Sequence, residues 1–289
     1  MSDLDLQADV ALRADAALQA ELDAPYPLDA AVIERFREDG FIRLPNVVSA
    51  RALAAVTPEL ARLVDERNRF KDVPIAERPL YNQAFIQVSN LWTASEAVRQ
   101  FAFGRRLARL AAELLGTRGV RMWHDQALFK EPSGGFTPWH VDQQYWPMAS
   151  PLSVTAWIPL EAVPLEMGPL CFGRGSHRKH IGRELAISAE SEALISAAIE
   201  RERIVEVQEP FAAGDASFHM GWTLHRAGPN ITGRPRRVFT VIYMDVDMRL
   251  AEPANKNQQL DWEVWTPSTR VGDVMDDPLN PVLWCADGD

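Results

Sequence analysis

The apolar positions of this chain change their spacing near residue 120. Upstream, Ala31, Ile33 and Phe36 recur at helical intervals, Gly40 closes that run, and FIRLP starts a short strand. Helical spacing returns in SARALAAVTPELARLVDERNRF, and again from about Ala94 to Leu115 before Gly116 stops it. From Val120 onward the segments VRMWHDQALFK, LSVTAWIPL, GPLCFGRGSH, GDASFHMG and RRVFTVIYMDV alternate apolar with polar positions between Gly and Pro punctuation. ISAESEALISAAIERERI reads as a helix inserted among them. The pattern predicts helices first and then a mainly β domain, a double-sheet jelly roll of the double-stranded β-helix, cupin-like kind spanning about residues 120–245. Residues 26–289 are expected to form one domain, with residues 1–25, rich in Ala, Asp and Leu, as a peripheral segment.

Composition narrows the possible partners. A net charge of -10 and a pI near 5.2, with no run of Lys or Arg, argue against nucleic acid and anionic membranes. No stretch reaches the roughly 20 apolar residues that a membrane span needs. The acidic first residues lack the pattern of a secretory signal, and two cysteines, Cys171 and Cys285, make no disulfide framework, so a cytoplasmic location is expected. Each thiol reads as a small hydrophobe.

The chemistry concentrates in FKEPSGGFTPWHVDQQYWPM. One residue separates His140 from Asp142, so on an extended chain both side chains face the same way and can share one ion. His225, in GDASFHMGWTLHRAGPN, supplies a third donor just before a Gly-Pro-Asn turn. Two imidazoles and a carboxylate form a facial triad that leaves metal positions open, a set suited to iron(II) oxygen chemistry. The bland alternative is a loop histidine beside a solvated aspartate. Downstream, ITGRPRRVFTVIYMDV puts Arg236, Val238, Thr240 and Ile242 on one strand face and Arg237, Phe239, Val241 and Tyr243 on the other. An inward arginine there needs an anion, such as the far carboxylate of a metal-bound dicarboxylic co-substrate.

Taken in order, EDGFIRLPNVVS, PWHVDQQYW, SVTAWIPLEAVPLEMGPLCFGRGSH and GDASFHMGWTLHRAGPNITGRPRR make the chain resemble the phytanoyl-CoA dioxygenase family of iron(II)/2-oxoglutarate oxygenases, over roughly Ile33 to Tyr243. The resemblance implies that His140, Asp142 and His225 are the metal ligands and that Arg236 grips 2-oxoglutarate. It implies iron(II), 2-oxoglutarate and dioxygen as the cofactor set, with succinate and carbon dioxide released. Trp157 falls where relatives line the co-substrate pocket, Ser153 and Thr155 precede it on the same face, and Gln126 and Lys130 share a strand face within reach. His124, His177, His180 and His219 are read as structural. Because Asp142 keeps a carboxylate where related halogenases have a small residue, oxygenation is the expected reaction.

Tyr145, Trp146 and Trp222 flank the ligands and predict an aromatic rim for the substrate, with packing in the sheet core as the alternative. No basic cluster beside the metal segment is set to hold coenzyme A phosphates, so a free small molecule of secondary-metabolite or lipid-like character is the expected substrate. Two rival readings are a jelly-roll hydrolase or isomerase using another divalent ion, which would not need Arg236, and a metal-free binding module.

Overall fold

The computed structural model describes residues 16–286. Two antiparallel sheets face each other as a jelly roll. The larger has seven strands in the order β1 (Phe41–Leu44), β8 (Ala216–Met220), β5 (Ser153–Pro159), β10 (Arg236–Asp245), β3 (Gly119–Lys130) and β11 (Val282–Cys285), with β2 (Ile86–Ser89) also paired to β3. The smaller sheet runs β4 (Thr137–His140), β9 (His225–Ala227), β6 (Leu170–Gly173) and β7 (Glu206–Gln208).

The outer face of the large sheet is covered by helices. α2 (Ala30–Asp39), α3 (Ala50–Arg67), α5 (Glu96–Ala102) and α6 (Arg105–Leu115) supply Phe36, Leu60, Phe101 and Leu110 to one apolar cluster with Phe239, Val241 and Tyr243 of β10. The inner face carries Val238 and Ile242 into separate clusters between the sheets. With both faces covered, β10 reads as a nearly continuous apolar run instead of a half-polar one. α2 starts on the Asp29 carboxylate, which accepts from Ala31 N and Val32 N, and ends at Gly40 in the left-handed conformation. A Cβ on Gly40 would stand 2.3 Å from His177 Nδ1, so the GRGSH turn and the start of β1 fit together only because that residue is glycine.

One expectation needs correction. The helical run from Ala94 to Leu115 is two helices, because Gly104 breaks the ladder between α5 and α6. Within the N-terminal segment, residues 16–23 form a helix, α1, whose Leu18 and Leu22 pack into the main apolar cluster. Residues 1–15 of that segment lie outside the described residues. The inserted helix is found as α7 (Ala189–Glu202), closed by a reciprocal Ser188–Ser191 cap, and it packs on the small sheet, where Glu192 accepts from Trp139 N at 2.6 Å. α4 (Leu80–Ala84) and α8 (Lys256–Trp265) border the open end of the jelly roll. Among the described residues, no helix is long and apolar enough to cross a membrane.

Candidate active site

His140 closes β4 and His225 opens β9, and the antiparallel register places the two directly opposite. Val141 keeps the chain extended, and Asp142 begins a turn of 3-10 helix, which brings its carboxylate back under the two rings. Asp142 Oδ1 lies 3.6 Å from His140 Nε2 and 3.5 Å from His225 Nε2. The three donor atoms all fall within 4.8 Å of one another.

The surroundings fix the protonation states. His140 Nδ1 donates to Pro138 O at 2.8 Å and His225 Nδ1 to Thr223 O at 3.0 Å, which leaves each Nε2 lone pair free and aimed at the common point. Burial is the largest influence on both imidazoles and pushes each below its ordinary value. Burial alone would raise the Asp142 carboxyl, but His225, His219 and His140 around it outweigh that and hold it well below the usual carboxylate range. Two neutral imidazoles and one carboxylate are the forms a divalent cation requires.

The far oxygen of Asp142 is held separately. Thr155 Oγ1 donates to Oδ2 at 3.0 Å and His219 Nε2 to the same oxygen at 3.2 Å. His219 was read from sequence as merely structural, yet it braces the triad carboxylate and its ring lies 4.5 Å from that of His225. The signal was present only in part. Alternation along β8 puts Ser217 and His219 on one face, but nothing in a single sequence says that His219 pairs with Thr155 on β5.

Deeper between the sheets, the polar groups are less complete. Arg236 is fully buried on the inner face of β10 with its guanidinium 5.5 Å from the Trp157 ring centre. One amino group donates to Gly168 O, while Nε has no partner. Gly168 is in the left-handed region, and a Cβ there would lie 2.1 Å from Gly228 O, so the carbonyl that meets Arg236 depends on a glycine. Lys130, cross-strand neighbour of Arg236, is also buried and donates to Gly135 O at 2.5 Å and Gly228 O at 2.8 Å. Burial first, and Arg236 second, push its ammonium down to about 6. No carboxylate pairs with Arg236 or Lys130 among the described residues. Trp157 Nε1 and Ser217 Oγ, on adjacent strands in register, are likewise buried without partners, so unpaired donors gather beside the guanidinium. Arg237 points the other way and pairs with Glu161 at 3.1 Å.

Other expected residues fall in varied places. Gln126 lines the cavity in front of the triad and accepts from Gln87. Ser153 is buried and donates to Gln143 Oε1 at 3.2 Å, which steadies the turn after Asp142. Thr155 serves Asp142, as described. Tyr145 and Trp146 line the cavity, and Tyr145 Oη accepts from Ile187 N at 2.8 Å. Trp222 is not among the cavity residues. It packs with Trp139 and Ile195 and lies under Arg183 at 4.6 Å, because its position three residues before His225 turns it outward toward α7. His177 and His180 hold Arg37 O and Glu184, as structural residues do.

The cavity measures about 1030 Å³ and opens directly onto His140 and Asp142. Much of its wall comes from outside residues 120–245, from Tyr81 on α4, Val88 on β2 and Asn257, Asp261 and Trp265 on α8. No motif marked these residues in the sequence. Arg67 and Arg69, at the end of α3, stand on the cavity wall as well, a basic pair that the sequence around the metal segment did not show. His124, expected to be structural, also lines the cavity, 4.7 Å from the Trp265 ring.

Comparison with known proteins agrees with this geometry. The chain is 25% identical over 250 residues to the ectoine dioxygenase of Streptomyces avermitilis, covering 80% of this chain and 83% of that protein. It is 23% identical over 225 residues to the methylphosphonate hydroxylase of Gimesia maris, covering 73% and 78%. Among solved structures, the non-haem α-ketoglutarate-dependent epimerase SnoN of nogalamycin biosynthesis superposes with a TM-score of 0.71 at 26% identity, over 88% of this chain and 98% of SnoN. The carbocyclase SnoK shares the fold, with a TM-score of 0.73 at 24% identity over 90% and 99%. The profile of the phytanoyl-CoA dioxygenase (PhyH) family matches residues 36–238, and the chain belongs to that family.

Proposed function

We propose that this chain is a mononuclear non-haem iron(II) oxygenase that consumes 2-oxoglutarate and dioxygen to oxidise a small organic molecule. The observation that carries the reading is a three-donor cluster open to a cavity, combined with a buried guanidinium that has no anion of its own. His140 Nε2, His225 Nε2 and Asp142 Oδ1 would hold the iron, and Arg236 would receive the distal carboxylate of 2-oxoglutarate. Lys130 adds a buried amine donor at the same end, and Trp157 Nε1 and Ser217 Oγ offer further donors. When bound, iron and 2-oxoglutarate supply the oxidising chemistry, with succinate and carbon dioxide as by-products.

The protein's part is positional. Pro138 O and Thr223 O set the imidazole tautomers, Thr155 and His219 aim Asp142 Oδ1 at the metal, and the aromatic wall excludes water from the reacting carbon. Asp142 fills the position that a halide would need, which favours oxygenation. The cavity suits a molecule of secondary-metabolite or lipid-like size held mainly by aromatic surface. Relatives described as dioxygenase, hydroxylase, epimerase and carbocyclase support the removal of a C–H hydrogen as the shared event, with the fate of the carbon set by the substrate.

The test is succinate formation from 2-oxoglutarate across a panel of free small molecules, with and without iron(II). An iron-dependent rise with one compound class, and a product one oxygen atom heavier, is the expected result. Turnover of substrate without consumption of 2-oxoglutarate would indicate a metal-dependent hydrolase or isomerase instead, and stimulation only by coenzyme A thioesters would overturn the substrate class.

A further inference from the structure

One carboxylate in the cavity has no use in the scheme above. Asp261 on α8 shares the cavity wall with His140 and Asp142. It forms no ion pair among the described residues, and its hydrogen-bonding neighbour is the Trp265 indole one turn further along the helix. Burial raises its carboxyl to about 7, with no cation to offset the cost. Asp261 is half-buried on α8 and lines the cavity beside the metal-ligand cluster without a counter-charge, a position suited to meeting a ligand.

The surroundings indicate what would meet it. Tyr81, Tyr145, Trp146 and Trp265 line the same cavity, and both tyrosine hydroxyls are raised by burial first and then by the nearby charges of Asp142 and Asp261. His124 cannot serve as the counter-ion, because burial pushes its imidazole down to about 4 and keeps it neutral. Arg67 and Arg69, by contrast, are exposed residues of the cavity wall. The cavity wall therefore combines one carboxylate that has no ion pair with several aromatic side chains. Aromatic faces attract cations and not anions, so both features favour the same charge.

We propose that Asp261 is a specificity-determining residue, and that the molecule oxidised here carries a basic nitrogen, bound as its ammonium by the Asp261 carboxylate among the aromatic side chains of the cavity. The proposal rests on the oxygenase reading and adds to it the charge of the substrate. Arg67 and Arg69 would then face the end of the substrate nearest solvent.

Three probes of similar size test it: phenethylamine, 2-phenylethanol and phenylacetate, titrated by calorimetry into the anaerobic chain loaded with iron(II) and 2-oxoglutarate. Phenethylamine should bind about tenfold more tightly than 2-phenylethanol, and phenylacetate most weakly. Asp261→Asn should erase the preference for the amine while leaving 2-phenylethanol unchanged, and Asp261→Glu, which keeps the charge, should retain it in part. Thermal denaturation of both variants checks that the fold is intact. Equal binding of amine and alcohol, tightest binding of phenylacetate, or an Asp261→Asn chain that still prefers the amine would each overturn the proposal. Titration of 2-oxoglutarate into the same samples separates the two readings: a chain that binds 2-oxoglutarate yet shows no amine preference loses only the Asp261 assignment, whereas one that fails to bind 2-oxoglutarate loses the oxygenase reading.

Discussion

The two polar regions inside this jelly roll are finished to different degrees. Around the triad, nearly every atom that does not face the metal position has a partner: backbone carbonyls take the Nδ1 hydrogens, and Thr155 and His219 take the second oxygen of Asp142. Around Arg236 and Lys130, the buried basic groups meet only backbone carbonyls, Gly168 O for Arg236 and Gly135 O and Gly228 O for Lys130, and Arg236 Nε, Trp157 Nε1 and Ser217 Oγ have no partner. The first region is preorganised by the protein. The second keeps unpaired donors, which under the proposed function would receive the distal carboxylate of 2-oxoglutarate. On that reading the site separates tasks, with a rigid ligand set on short paired strands and a co-substrate pocket whose electrostatics would be satisfied on binding.

The largest effect should come from the preorganised side. His225→Ala or His140→Ala removes one of three donors and should abolish iron-dependent succinate formation, with the far-ultraviolet circular dichroism spectrum unchanged. Activity within a factor of about two of the parent would break the triad assignment.

Arg236→Ala comes next. Leaving the distal carboxylate of 2-oxoglutarate unpaired in a buried site costs about 2–5 kcal/mol, so the KM for 2-oxoglutarate should rise by about two orders of magnitude. Arg237→Ala loses only a half-exposed ion pair with Glu161 and should leave that KM unchanged. If the two variants exchange phenotypes, the inner and outer faces of β10 have been assigned the wrong way round.

A smaller effect is expected from the groups that aim the carboxylate. Thr155→Val or His219→Phe should weaken iron binding by about 10–100-fold, measured by anaerobic titration, without changing the 2-oxoglutarate preference of the loaded enzyme. Unaltered iron affinity in both would show that Asp142 needs no bracing.

The smallest effect concerns pH. Lys130 protonates near 10.5 in the unfolded chain but only near about 6 in the folded one. Between those values the unfolded state binds the extra proton, so the contribution of Lys130 to stability is lost progressively as pH falls from about 10.5 toward 6. Lys130→Met should therefore raise the Tm of the ligand-free protein more at pH 7 than at pH 10. A gain that is equal at both values would mean that Lys130 stays charged in its pocket.

Periodicity and spacing revealed the strands long enough to alternate, and these position most of the site: β3, β5, β8 and β10 all follow from apolar alternation. Four-residue β1 and β6 showed in FIRLP and GPLCFGRGSH, but β4 and β9 did not. β9 has three residues, too few for a period to register, and β4 four, yet they carry His225 and His140. Those two histidines were found by their chemistry and by family resemblance. Arg236 was legible because a charge in an alternating strand has to face one way or the other. The residues that shape the substrate cavity were not legible, since Tyr81 and Asp261 arrive from helices far apart in sequence and only tertiary packing brings them to the metal. Trp222 illustrates the same limit from the other side, because closeness to His225 in sequence did not make it part of the cavity.

The comparison between the two regions reduces to whether Arg236 reads a carboxylate. Its most direct test is the affinity of the anaerobic, iron-loaded chain for 2-oxoglutarate and for 2-oxopentanoate, which keeps the keto acid head and replaces the distal carboxylate with a methyl group. The account predicts that the parent prefers 2-oxoglutarate by about two orders of magnitude and that Arg236→Ala does not distinguish them. Equal affinity in the parent, or an undiminished preference in Arg236→Ala, would contradict it.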